Sequence, residues 1–146
     1  MEKRIQIDVI EPEAYKAIFA LENYLQKSNL SNTHKELIKI RASQINSCAF
    51  CIDMHTKDAL KYGETQQRLF LLNAWKETDL FTEEEKTLLQ ITEEITLIHQ
   101  QGLSDETYKK AIKIFDENYL SQIIIAVITI NTWNRIAIST NKPIEN

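Results

Sequence analysis

The stretch NYLSQIIIAVITINTWNRIAIS, residues 118–139, decides the fold class. Its β-branched run IIIAVITI, residues 123–130, favours a strand by propensity alone. The apolar segment around that run is too long for a strand and holds no Gly or Pro to turn the chain. It therefore reads as a buried helix. The run is also far shorter than the roughly 20 apolar residues that a membrane-spanning helix needs.

The rest of the chain agrees. Its 146 residues contain two Gly and two Pro, too few for the tight turns of a sandwich or barrel. With 43% hydrophobic and 26% charged residues, the composition is that of a globular protein. Residues 1–146 read as one domain, all-α, a bundle of about six to seven helices. The net charge is −4 and no Lys/Arg run stands out, so the electrostatic footprint of a nucleic-acid binder is missing. Charges interrupt the N-terminal segment every few residues, which leaves no apolar core for a signal peptide. The expected location is the cytoplasm, where thiols stay reduced.

Helix punctuation divides the chain. Pro12 suits the first position of a helix over 12–27. Ser31 or Asn32 caps a second, carrying Leu37, Ile38, Ile40 and Ile45. A third runs from about Cys48 to Tyr62 and stops at Gly63. Thr65 opens a fourth, with Leu69, Phe70, Leu72 and Trp75 on its buried side. Thr82 to Glu85, T-E-E-E, forms a capping box before a helix bearing Leu88, Leu89, Ile91, Ile95, Leu97 and Ile98 and ending at Gly102. Ser104 or Asp105 starts a short helix through Phe115. Residues 4–10 alternate apolar and polar side chains, but a lone strand has no partner. They read as an extended arm packed on the body or on a neighbouring subunit.

The chemistry lies in C-A-F-C-I-D-M-H, residues 48–55. On a helix starting beside Cys48, Cys51 lies about 60° and His55 about 20° from Cys48 around the axis. Cys51 and His55 are then neighbours across one turn. A thiolate is favoured by a helix N-terminus and by an adjacent imidazole, and two thiols at this spacing can close a disulfide. C-x-x-C by itself also fits a structural pair in the core. With His55 it offers three zinc ligands, but a structural zinc needs a fourth, and neither His34 nor His99 has ligand-like spacing. Glu36 lies twelve residues before Cys48, about 18 Å away on a continuous helix. It reaches the thiols only if the chain turns, and Asn46-Ser47 is a suitable break and cap. A carboxylate there could accept a proton from Cys51 directly, through His55 or through water. Its other reading is a surface partner for Lys39 or Arg41. In N-T-W-N-R, residues 131–135, Arg135 could pair with a buried carboxylate near the site, or serve helix capping or subunit packing. Phe50, Met54, Trp75 and Phe81 read as core or pocket wall.

The run ELIKIRASQINSCAFCIDMHTKDA, residues 36–59, resembles the core motif of the carboxymuconolactone decarboxylase family, above all its AhpD-like alkylhydroperoxidase branch. The stretches RLFLLNAW (68–75), FTEEE (81–85) and INTWNR (130–135) are similar to its small members. The resemblance implies an all-α fold and a homo-trimer or homo-hexamer. It implies thiol-dependent reduction of hydroperoxides without metal or flavin. Carried over, Cys51 attacks the peroxide, Cys48 resolves the sulfenic acid, and Glu36 and His55 relay protons. A dithiol reductant, a lipoylated or thioredoxin-like protein, would then reopen the disulfide. One departure stands out: AhpD has a second His immediately before the second Cys, where this chain has Phe50. Two rival readings accompany this one, a protein disulfide reductase or redox sensor, and a helical oligomer whose Cys pair is structural.

Overall fold

The computed structural model describes residues 2–144; positions 1, 145 and 146 lie outside them. Among the described residues there are helices and no strand. The α-helices are α1 (Ile7–Ile10), α2 (Pro12–Gln26), α3 (Asn32–Ile45), α4 (Ala49–Lys61), α5 (Gln66–Leu71), α6 (Glu83–Thr96), α7 (Asp105–Ile114) and α8 (Glu117–Ser139). A 3₁₀ segment, Leu72–Glu77, continues α5. The seven helices expected from the sequence are α2 to α8, and the fold is all-α as expected.

Local chemistry explains most boundaries. Pro12 begins α2. The hydroxyls of Ser31, Thr65 and Ser104 accept the backbone N–H three residues on, and the Asp116 carboxylate does the same for α8. Thr82 and Glu85 satisfy each other's backbone N–H groups in a capping box. Gly63, just past α4, takes φ +93°, a conformation that side chains disfavour.

Helix α3 is central and packs on α4, α6 and α8. Leu37, Ile38 and Ile40 of α3 meet Leu88, Leu89 and Ile91 of α6 and Ile123, Val127 and Ile130 of α8 in one buried cluster. The isoleucine-rich segment is thus a helix because the bundle buries it, whatever its intrinsic preference. Polar ties lock the periphery. Arg68 bridges Glu64 and Glu85, bonds the Leu80 carbonyl and lies over the Phe81 ring. Glu93 receives Arg41 Nε at 2.8 Å, Trp75 Nε1 at 2.7 Å and Lys76 Nζ at 3.0 Å.

Four expectations need correction. Residues 4–10 are not wholly extended, since Ile7–Ile10 makes one helical turn. The arm does pack on the body: Arg4 bonds the Ser139 carbonyl and Gln6 the Thr140 carbonyl. Phe70 is 75% exposed, because Leu69, Leu72 and Trp75, spaced by three, form the inward face of α5 and its 3₁₀ extension. Helix α6 ends at Thr96, not at Gly102. Ile98 beyond it is exposed, and turns carry the chain to Gly102 at φ +70°.

Candidate functional site

The turn between α3 and α4 makes the site. Ser47 adopts φ +58° and directs the chain back across α3. Cys48 is the N-cap of α4, with φ −86° and ψ 92°, and no side chain caps the first turn. Asn46-Ser47 is therefore the break but not the cap. The Asn46 amide instead reaches α8, donating at 2.9 Å to both Asn131 Oδ1 and Asn134 Oδ1. Asn134 donates to Ser43 Oγ at 2.9 Å, and Asn131 to Thr96 Oγ1 at 3.1 Å. The half-buried Asn46 and the buried Asn131 and Asn134 thus clamp the turn that presents the cysteines.

Cys48 and Cys51 are joined as a disulfide, their Cα atoms 5.4 Å apart. They are 1% and 2% exposed and pack with Phe50 and Ala137. Cys51 occupies the third position of α4, inside the first turn, where the amide end of the helix favours an anionic sulfur.

The chain reversal also brings Glu36 to His55. Glu36 Oε2 lies 2.9 Å from His55 Nδ1, and both side chains are buried. With Nδ1–H donated to the Glu36 carboxylate, the neutral imidazole carries its lone pair on Nε2. Among the described residues Nε2 has no protein partner, yet no sealed side-chain nitrogen or oxygen lacks one. Nε2 therefore opens on the cavity that His55 lines. On the other side of Glu36, Lys39 Nζ lies 3.6 Å from Oε1 and 2.8 Å from Glu22 Oε1. Burial pulls the Lys39 pKa down, but the charges of and bonds to Glu36 and Glu22 outweigh it and hold it above its ordinary value. Lys39 is thus an ammonium that neutralises the carboxylate.

A cavity of about 600 Å³ joins these groups. Its walls include Cys51 and His55 from α4 and Glu36 and Lys39 from α3, but not Cys48. Tyr15 and Phe19 of α2 and Trp133 of α8 form an aromatic wall, with ring centroids 5.1–5.5 Å apart. Phe50 and Met54 also line it, whereas Trp75 and Phe81 belong to the core. Among the described residues no group of three His, Cys, Asp or Glu could hold a metal ion.

Of the residues singled out in the sequence, Cys48, Cys51, His55 and Glu36 are brought together. Arg135 is not: its guanidinium bonds the Asn131 carbonyl and Oδ1, i to i−4 on its own helix, and pairs with no carboxylate among the described residues. The sequence reading missed Lys35 and Lys39 as cavity residues and the aromatic wall. The pair Tyr15 and Phe19, one turn apart, was visible only as part of an apolar helical face.

A buried Cys pair, a Glu-His couple and an all-α hairpin bundle define a class, and the chain belongs to the carboxymuconolactone decarboxylase family, whose profile matches residues 12–94. It is 45% identical over 139 residues to the uncharacterized protein YdfG of Bacillus subtilis (strain 168), covering 95% of each chain. A crystal structure from Agrobacterium tumefaciens, a protein of unknown function assigned to AhpD-type antioxidant defence, superimposes with a TM-score of 0.96. It is 39% identical, with 99% of each chain covered. The AhpD core of a peroxidase-related protein from Ralstonia eutropha JMP134 shares the fold at 14% identity, with a TM-score of 0.83 over 95% of this chain and 74% of that one. A debrominase shares it at 15% identity, with a TM-score of 0.81 over 92% and 72%. The fold thus accompanies more than one chemistry. No helix among the described residues is long and apolar enough to cross a membrane.

Proposed function

We propose that the protein is a thiol-dependent hydroperoxide reductase. The observation that carries this reading is that Cys51, the sulfur lining the cavity, shares it with a His55 whose Nδ1 is fixed by Glu36. In the reduced enzyme His55 Nε2 takes the proton of the Cys51 thiol. The thiolate attacks the terminal peroxide oxygen, the O–O bond breaks, and the alkoxide leaves with the proton that His55 returns. Cys51 is now a sulfenic acid. Cys48 attacks its sulfur, the disulfide forms, and hydroxide leaves as water with the Cys48 proton. A dithiol then reduces Cys48–Cys51 and is itself oxidised to a disulfide. Phe50, standing where AhpD carries a second His, leaves His55 as the imidazole of this relay.

Burial of both sulfurs supports a slender dithiol, such as a lipoyl arm entering the cavity, over a thioredoxin-like surface. It also speaks against the rival reading as a protein disulfide reductase, which needs a sulfur at the surface. Assembly as a homo-trimer or homo-hexamer and a cytoplasmic location complete the proposal.

The test is turnover of an organic hydroperoxide driven by excess dihydrolipoamide. Cys51→Ser should abolish it. Cys48→Ser should consume one equivalent and stop at the sulfenic acid. Full activity in Cys51→Ser would overturn the reading.

A further inference from the structure

The cavity is much larger than hydrogen peroxide requires, and its volume is that of a site for an organic molecule. Three lysines line it, Lys35, Lys39 and Lys142. Two are committed to carboxylates: Lys39 to Glu22 and Glu36, and Lys142 to Asp8 at 3.7 Å. Lys35 differs. It is 9% exposed, and among the described residues no carboxylate lies within 4.0 Å of its ammonium. Its one bond is to the Gln26 carbonyl, at 3.2 Å. An ammonium has three donors, and a buried charge is stable only when it is paired or well bonded.

The position of Lys35 suits a ligand. The Glu36–His55 bond registers the α3–α4 hairpin, so Lys35 stands level with residue 56, five residues beyond Cys51. At 1.5 Å per residue that is about 7–8 Å along the hairpin axis. The aromatic wall of Tyr15, Phe19 and Trp133 borders the same cavity.

We infer that the cavity is a binding site for an anionic amphiphile, an aryl- or alkyl-carboxylate whose carboxylate pairs with Lys35 and whose apolar body lies against the aromatic wall. This rests on the proposed peroxidase reading only for its consequence, that the preferred substrates are hydroperoxides carrying a carboxylate. Burial, followed by the neighbouring charge of Lys39, lowers the Lys35 pKa and outweighs the more distant charges of Glu22 and Glu36, neither of which pairs with it.

Binding can be tested without turnover. Phenylbutyrate and the neutral phenylbutanol are titrated calorimetrically into the oxidised protein. The carboxylate should bind about tenfold tighter or better, as expected for a charge-assisted contact. Lys35→Met should bring the two affinities together and leave that of the alcohol unchanged, while Lys35→Arg should keep the preference. Equal affinities in the unaltered protein, no binding of the carboxylate, or equal losses for both ligands in a folded Lys35→Met would overturn the inference. A persistent carboxylate preference in a protein that turned over no peroxide would support the site and count against the peroxidase reading alone.

Discussion

Glu36 Oε2 meets His55 Nδ1 at 2.9 Å across a separation of nineteen residues. One contact fixes two things, the register of the α3–α4 hairpin and the tautomer of the imidazole. Glu36 is in this account a positioning residue: it acts on the thiol through His55. Glu36→Gln keeps the shape but not the charge. It should lower kcat/KM for hydroperoxide by roughly 10²-fold or more, the scale of a lost acid–base relay. Alkylation of reduced Cys51 by iodoacetamide should slow alongside, in a Cys48→Ser background. A purely architectural role for Glu36 would leave that alkylation rate unchanged once the variant is folded.

Asn134 is fully buried and ties Ser43 and Asn46 to α8. Asn134→Ala removes the partner of the buried Ser43 hydroxyl and one of the two acceptors of the Asn46 amide, just before the cysteine turn. Urea unfolding should show a loss of about 2 kcal/mol, within the range for an unsatisfied buried hydrogen-bonding group. A loss below measurement error would mean that Asn131 or water takes over the clamp.

Gly63→Ala separates backbone conformation from packing. The glycine sits at φ +93° with nothing within 4 Å of where a Cβ would be. The expected cost, about 1 kcal/mol, is therefore conformational. The melting temperature should drop, while peroxide turnover per folded molecule stays the same.

Acid should destabilise the fold through particular carboxylates. Burial raises the pKa of Glu85, but the bonds from Arg68 and the Thr82 N–H outweigh it, and the net shift is down. Glu93, against Trp75, Lys76 and Arg41, and Glu94, against Ser104, Gln90 and Thr107, are lowered in the same way. A depressed carboxylate binds fewer protons folded than unfolded. Its stabilisation is complete above the unfolded pKa and is lost as pH falls through the lower, folded value. Unfolding free energy measured from neutral pH downward should thus fall through and below the ordinary carboxylate range. Arg68→Met should flatten part of that acid limb by releasing Glu85.

Much of this was legible in residue order. Capping chemistry at Ser31, Thr65, Thr82 and Ser104 marks helix starts because it is local, and the Cys-x-x-Cys-x-x-x-His spacing places its residues on one face of a helix. Spacing alone reached Glu36 only through the supposition of a turn at Asn46-Ser47, since its contact with His55 is tertiary; the family resemblance pointed to it independently. The aromatic wall and Lys35 were not legible. They come from three different helices, α2, α3 and α8, and nothing in the spacing of Tyr15, Lys35 and Trp133 indicates a common cavity. Phe70 and Ile98 misled because hydrophobicity alone does not reveal which side of a short helix turns inward, or where a helix has already ended.

The most direct measurement is thiol trapping of the fully reduced protein after a single equivalent of organic hydroperoxide. Cys48 and Cys51 should vanish from alkylation together, as one intramolecular disulfide, far faster than free cysteine reacts, and dihydrolipoamide should restore both. Two thiols still open to alkylation, or a Cys51 oxidised beyond the sulfenic acid beside an intact Cys48, would contradict the account.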